Sequence, residues 1–186
     1  MRIYLLRHEM RFSNPKFDTQ LTEVGKQNAK NLVKLLDDLN LNIVISSPFV
    51  RTIQTVEEYV KRHNIKLNID YALNESLSNT NLFSKTDIRQ LNENTYGFKY
   101  FNLNYNPIVK YEDLELGESY EDIKGRTRKL IDSLINDKSL VNKNILLVSH
   151  QSTINAALNI DQHFHYPMGG VSLCYETNRM FKPINF

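Results

Sequence analysis

The chain has 186 residues, 41% of them hydrophobic, about the length of one ordinary domain and enough to bury a substantial core. Its 23 Lys and Arg offset 21 Asp and Glu, and the net charge of +2 is too slight and too evenly mixed for a nucleic-acid groove or an acidic membrane surface. The single cysteine, Cys174, excludes an intrachain disulfide, and with no Cys-x-x-Cys metal pattern it fits a reducing, cytoplasmic compartment.

The opening apolar run "IYLL" is cut short by Arg7, below the roughly 7–15 residues of a secretory core, and no run approaches the roughly 18 residues needed to span a bilayer. The expectation is a soluble chain without a leader. "RIYLL" at 2–6 has the length and β-rich character of a buried strand. At 23–39, Val24, Ala29, Leu32, Val33, Leu35, Leu36 and Leu39 sketch one face of a helix, with Thr22 as its N-cap. "LNIVISS" at 41–47 repeats the buried-strand pattern, and the helix expected after it has Ser47 as cap and Pro48 in its first position.

"IKLNI" at 65–69 reads as a third strand. The tract from 76 to 115 has poor periodicity and many turn residues, and is expected to be an excursion or cap. Order returns in "GESYEDIKGRTRKLIDSLIND", where Tyr120, Ile123, Thr127, Leu130, Ile131, Leu134 and Ile135 recur at helical spacing around a blemish at Gly125. "NILLVS" at 144–149 is a buried strand leading through His150 into the helical "STINAAL", and "VSLCYE" at 171–176 supplies a last strand. Strands alternating with helices predict a single α/β domain over 1–186, with a mainly parallel central sheet covered on both faces.

In such sheets the ligand site lies beyond the carboxyl ends of the strands. Those positions hold Arg7 and His8 after the first strand, Ser46, Ser47 and then Arg51 after the second, Glu75 after the third, and His150 after "NILLVS". Two histidines, two arginines and a carboxylate at one rim suit capture of a phosphate dianion. Phosphoryl transfer spreads charge over three equatorial oxygens, and arginines clamp such oxygens with paired hydrogen bonds.

These residues resemble the histidine phosphatase superfamily, also called phosphoglycerate-mutase-like, over nearly the whole chain. "LLRHEM" looks like its Arg-His-Gly signature, and Asn14 stands where the family pattern places an asparagine. "LTEVGKQNA" is similar to Leu-Thr-x-x-Gly-x-x-Gln-Ala, and "SSPFVRTIQT" to Ser-Ser-Pro-x-x-Arg-x-x-x-Thr. "GES" at 117–119 and "LLVSHQSTI" match the later motifs. The resemblance implies that His8 is the nucleophile, forming a phosphohistidine that water hydrolyses. It places Arg7, Arg51 and His150 around the phosphoryl group, with N–H donors from the helix starts after Ser47 and His150. Asn14 is placed on phosphate or substrate, and Glu75 is the general acid or base, with Asp18, Glu23, Glu115 and Glu118 as alternatives.

One departure stands out. Glu9 follows the nucleophile where the family usually has glycine, and a carboxylate aimed at the same dianion would repel it; turned outward, or paired with Arg11 or Lys16, it would narrow substrate choice instead.

Other features have plainer readings. His163 and His165 in "HFHYP" lack acidic or cysteine companions at ligand spacing and read as a loop or substrate rim rather than a metal site. "KGRTRK" at 124–129 reads as a solvated helix face. Tyr96, Phe98, Tyr100, Phe101 and Tyr105 either line a substrate cleft or pack the excursion onto the sheet. There is no Walker loop and no Asp-x-Asp after the first strand, and Arg179 follows Cys174 one residue too closely for a Cys-x5-Arg loop. The expected activity is hydrolysis of a small phosphorylated metabolite with no cofactor or metal and no nucleic-acid or membrane partner. The alternatives are mutase-type phosphoryl transfer, for which 186 residues leave little room for the mutase insertion, and a phospho-ligand-binding module without turnover.

Overall fold

A computed structural model describes residues 1–79 and 99–177. The apolar runs of the sequence become a five-stranded sheet: β1 (Arg2–Arg7), β2 (Ile43–Ser46), β3 (Leu67–Ile69), β4 (Asn144–Ser149) and β5 (Val171–Glu176), in the order β3-β2-β4-β1-β5. β1, β2, β3 and β4 are mutually parallel, while β5 runs antiparallel to β1 with a register shift between Ile3 and Tyr4. The sheet is therefore mixed and mostly parallel, with β4 and β1 in its interior.

Alternation along the strands divides the core in two. Ile3 and Leu5 of β1, Ile45 of β2, and Ile145 and Leu147 of β4 pack on one face with Leu130, Ile131, Leu134 and Ile154. Those partners come from α3 (Tyr120–Asn136) and α4 (Gln151–Ala157). Tyr4, Leu6, Val44, Leu146 and Val148 turn to the other face, against Val33, Leu36, Ile53, Val56 and Val60 of α1 (Glu23–Asp37) and α2 (Val50–His63). A side-chain period of two on strands buried on both sides produces this three-layer arrangement.

The helix starts are built differently from one another. Thr22 caps α1 by accepting from the Gly25 N–H, and Ser119 closes a capping box with Asp122 at the start of α3. α2 begins two residues later than expected: Phe49 is its N-cap, with no side-chain cap, so Ser47 and Pro48 lie outside the helix and the Ser47 hydroxyl is left for other work. β3 is shorter than the expected 65–69, and the chain leaves it into a 3-10 turn, Tyr71–Leu73, capped by Asp70.

Of the 76–115 tract, residues 100–109 lie against the sheet edge at β3 and the turn after it, while Leu77 and Leu114 enter the core. Buried Asp70 accepts from the Tyr105 hydroxyl at 2.9 Å, the Ile108 N–H at 2.7 Å and the Val109 N–H at 3.3 Å, while Phe101 is buried in the core. Phe101 and Tyr105 pack onto the sheet and also line a cavity with Ile69, Tyr71 and Pro107, and Tyr100 is half-buried against the core; Tyr96 and Phe98 lie outside the described residues, as does Arg179. No described helix is long and apolar enough to cross a membrane.

Candidate active site

β1 ends in Arg7, and the next residue, His8, is almost completely buried, its N–H bonded to Ser149 O on neighbouring β4. The sheet ladder thus fixes the backbone of the histidine. Its ring is fixed too: Nδ1 lies 2.8 Å from Glu9 O, and a carbonyl can only accept, so Nδ1 carries the proton and Nε2 keeps its lone pair. Burial, followed by the charges of His150 and Arg51, holds the His8 pKa well below 6.5. At neutral pH the imidazole is neutral, with a set tautomer and a free lone pair on Nε2.

His150 follows β4 directly and its ring meets that of His8 edge to face, centroids 5.2 Å apart. His150 Nδ1 is 3.3 Å from Glu75 Oε2, an ion-pair distance without the alignment of a hydrogen bond. His150 Nε2 lies 3.0 Å from Ser47 Oγ, the hydroxyl released from helix capping. Burial lowers the His150 pKa to about 4 against the opposing pull of Glu75. Both imidazoles are therefore neutral at pH 7.

Arg51, in the first turn of α2, is fully buried, with its guanidinium 4.6 Å over the Phe49 ring. It donates to Lys16 O at 2.9 Å and to Glu75 Oε2 at 3.3 Å. Burial brings its pKa down to about 10, so it stays charged. Arg7 donates through Nη1 to Tyr166 O, which ties the 159–169 loop to the site. The Nε atoms of Arg7 and Arg51 and Nδ1 of His150 are buried without a hydrogen-bond partner. Such groups are costly to leave unpaired; with Nε2 accepting from the Ser47 hydroxyl and Nδ1 facing the Glu75 carboxylate, His150 carries its proton on Nδ1, and the three N–H donors suit an anion.

Glu75 sits on the irregular segment beyond the 3-10 turn. Its Oε1 accepts from the Ser152 hydroxyl at 2.9 Å and from the Ser76 N–H at 3.1 Å. Burial alone would raise its pKa, but His150, Arg51 and His8 outweigh it and hold the carboxyl well below 4.5. Glu75 is a carboxylate in this state. Ligand atoms of His8, Glu75 and His150 lie within 4.8 Å of one another, a set that could hold a metal ion, but the guanidiniums of Arg7 and Arg51 make the surrounding field favour an anion.

Five of the six residues singled out in the sequence, Arg7, His8, Arg51, Glu75 and His150, come together here. Asn14 is exposed on the 9–21 loop, where its carbonyl accepts from the Thr19 hydroxyl, and no described hydrogen bond joins its amide to the other five. Among the alternatives to Glu75, Asp18 and Glu115 are exposed, Glu23 pairs with Lys26 on α1, and Glu118 is buried in a pair with Arg126.

Glu9 neither turns outward nor pairs with Arg11 or Lys16. It is buried at 5% exposure, with Oε2 accepting from Asn28 Nδ2 at 3.2 Å and from the Met10 N–H at 3.3 Å. Its Oε1 fills the space a Cβ would need at Gly169, only 2.0 Å away, where φ is +68°. Only glycine leaves room for the Glu9 carboxylate there, and the positive φ also favours it. Arg11 bonds to Phe12 O and Ser13 O instead, and its charge acts on Arg7 and Arg51.

Sequence reasoning missed Ser152, Arg11 and the site role of Ser47. Their signal was weak: each is a common surface residue type, Ser152 and Ser47 meet Glu75 and His150 far away in sequence, and Arg11 bonds locally to Phe12 O and Ser13 O while its charge reaches the site. The basic stretch 124–129 was also misread in part, because Arg126 within it is buried against Glu118 rather than solvated. His163 and His165 lie exposed on the 159–169 loop.

A family model for the histidine phosphatase superfamily (branch 1) matches residues 3–167. No curated protein matches the chain by sequence. Among solved structures, a mycobacterial glucosyl-3-phosphoglycerate phosphatase complexed with VO3 superposes with a TM-score of 0.64 at 19% identity, over 92% of this chain and 91% of that one. The alpha-ribazole phosphatase from Shigella flexneri gives 0.63 at 24% identity, over 93% and 89%. The ecdysone phosphate phosphatase from Bombix mori, in complex with tungstate, gives 0.62 at 15% identity, over 100% and 86%. At these identities the likeness is one of fold.

Proposed function

Because the chain belongs to the histidine phosphatase superfamily, we propose that it hydrolyses a small phosphorylated metabolite in the cytoplasm, without a metal, through a phosphohistidine on His8. The observation that carries this reading is the His8 ring, buried, neutral and locked by Glu9 O with its lone pair on Nε2, beside two guanidiniums with unpartnered N–H groups.

In the first step the Nε2 lone pair attacks phosphorus and the ester P–O bond breaks. Arg7, Arg51 and the His150 Nδ1–H hold the three equatorial oxygens. The departing oxygen takes a proton from Glu75. Glu75 is ionised in the free site, but a phosphate placed beside it adds negative charge, raises its pKa and lets it carry that proton. In the second step water attacks phosphorus, the P–N bond breaks with its electron pair returning to Nε2, and the proton lost by water returns to Glu75.

The neighbours support small phosphomonoesters as the substrate class, since the three named above are a glucosyl-3-phosphoglycerate phosphatase, an alpha-ribazole phosphatase and an ecdysone phosphate phosphatase. We assign the whole chain to one domain and place substrate choice in the 76–115 excursion and the 160–170 loop. A binding module without turnover would have been motivated by Glu9, whose carboxylate is instead engaged by Asn28 and the Met10 N–H. The test is p-nitrophenyl phosphate hydrolysis with EDTA present. Turnover that survives chelation and drops to background in His8→Ala supports the reading; phosphate binding without turnover on this ester or on a panel of sugar phosphates would overturn it.

A further inference from the structure

Arg126 lies on α3, outside the ring of groups just described, yet its whole guanidinium is committed to the segment that carries Glu75. Nη1 donates to Ala72 O at 2.5 Å, and Nη2 to Asn74 O at 3.0 Å and Glu75 O at 3.3 Å. The same fork grips Glu118 in a bidentate pair, Nε to Oε2 and Nη2 to Oε1, both at 2.9 Å. Glu118 in turn accepts the Leu77 N–H at 2.7 Å. Both side chains are buried, at 8% and 4% exposure.

The segment 72–77 needs such partners. Its first two residues end a single 3-10 turn and the rest belong to neither helix nor strand, so no ladder satisfies its carbonyls or fixes its path. Thr153 and Ser149 each take one contact, with Asn74 O and Leu73 O. Arg126 takes three carbonyls at once and, through Glu118, an N–H on the far side of Glu75. The clamp brackets one residue from both directions.

We infer that Arg126, seated by Glu118, is the positioning residue for the proton donor: it acts on the reaction through the backbone of Glu75. This rests on the reading of Glu75 as the acid. Lysine would keep the charge but lose the planar fork that reaches three carbonyls and a carboxylate together. A small displacement of a catalytic group is enough to cost activity.

The experiment compares Arg126→Lys, Glu118→Gln and Glu75→Gln on two esters: p-nitrophenyl phosphate, whose leaving group departs without a proton, and glycerol phosphate, whose alkoxide needs one. For Arg126→Lys, kcat/KM, which reports only the steps through cleavage of the ester P–O bond, is expected to fall about 10²-fold on glycerol phosphate, against a loss within about threefold on the nitrophenyl ester. Competitive inhibition by inorganic phosphate should stay unchanged, because the anion pocket is intact. Glu118→Gln keeps an acceptor for the Leu77 N–H and should show the same imbalance, smaller in size, which keeps the test open if Arg126→Lys fails to fold. Equal losses on both esters in the folded variants, with Glu75→Gln still discriminating between them, would overturn the inference alone. A Glu75→Gln variant that treats the two esters alike would overturn the acid reading and this inference with it.

Discussion

At the residue scale the site depends on which atoms are already satisfied. Arg51 shows this best, because one fully buried guanidinium steadies the 9–21 loop at Lys16 O, pairs with Glu75 and keeps its Nε unpartnered. Arg51→Lys keeps the charge and loses the fork, so kcat/KM should fall by roughly 10–100-fold, as expected for one or two charge-assisted hydrogen bonds. Glu9→Gln is the contrast. Its contacts are the Asn28 amide and the Met10 N–H, so steady-state kinetics should change within about threefold, the size expected where no charge-assisted bond to substrate is lost. A large loss in Glu9→Gln, or none in Arg51→Lys, would place the anion elsewhere.

At the element scale, the junction of β1 with α1 holds the segment that follows His8. Met10 O accepts from the Thr22 N–H at 3.0 Å, and a Cβ on Gly25 would stand 2.0 Å from that oxygen. Gly25→Ala must push the backbone two residues from His8, and overpacking of this kind costs about 1–3 kcal/mol. The expected outcome is a lower urea midpoint together with lower kcat; a variant as stable and active as the parent would show that the junction yields freely.

The same scale explains what was legible in the sequence. His8, Arg51 and His150 were readable because each follows an apolar strand closely, and sheet topology alone then brings them to one rim. Glu75 was readable only as the carboxylate after the third strand, since the short β3 and the 3-10 turn that deliver it carry little pattern. Ser47 was misread as a cap because Ser-Pro before an amphipathic run is a strong helix-start signal, and nothing local reports that its hydroxyl turns to His150 across the sheet. Arg126 was misread because a basic run reports charge but not which of its members meets Glu118.

At the scale of the whole molecule, burying this constellation makes stability depend on pH. His150 titrates at about 4 in the folded chain, and His8 also lies well below 6.5, the value expected when unfolded. Between those limits the unfolded chain binds more protons, so stability is full above pH 6.5 and is lost as pH falls towards 4. Glu75, held well below 4.5, adds to the loss further down, because its unfolded form takes up a proton first. The His150 contribution alone amounts to about 3 kcal/mol. Melting temperature should therefore fall steadily from pH 7 to pH 4.5, and His150→Gln should flatten that slope. An unchanged slope in the variant would mean that the buried imidazole is already charged.

If His8 Nε2 takes the phosphoryl group, trapping the phosphoenzyme during turnover and mapping the modified residue will show it. The expected label is stable to alkali, labile to acid and located at His8. Turnover with no covalent label, or a label on another residue with His8→Ala still active, would contradict it.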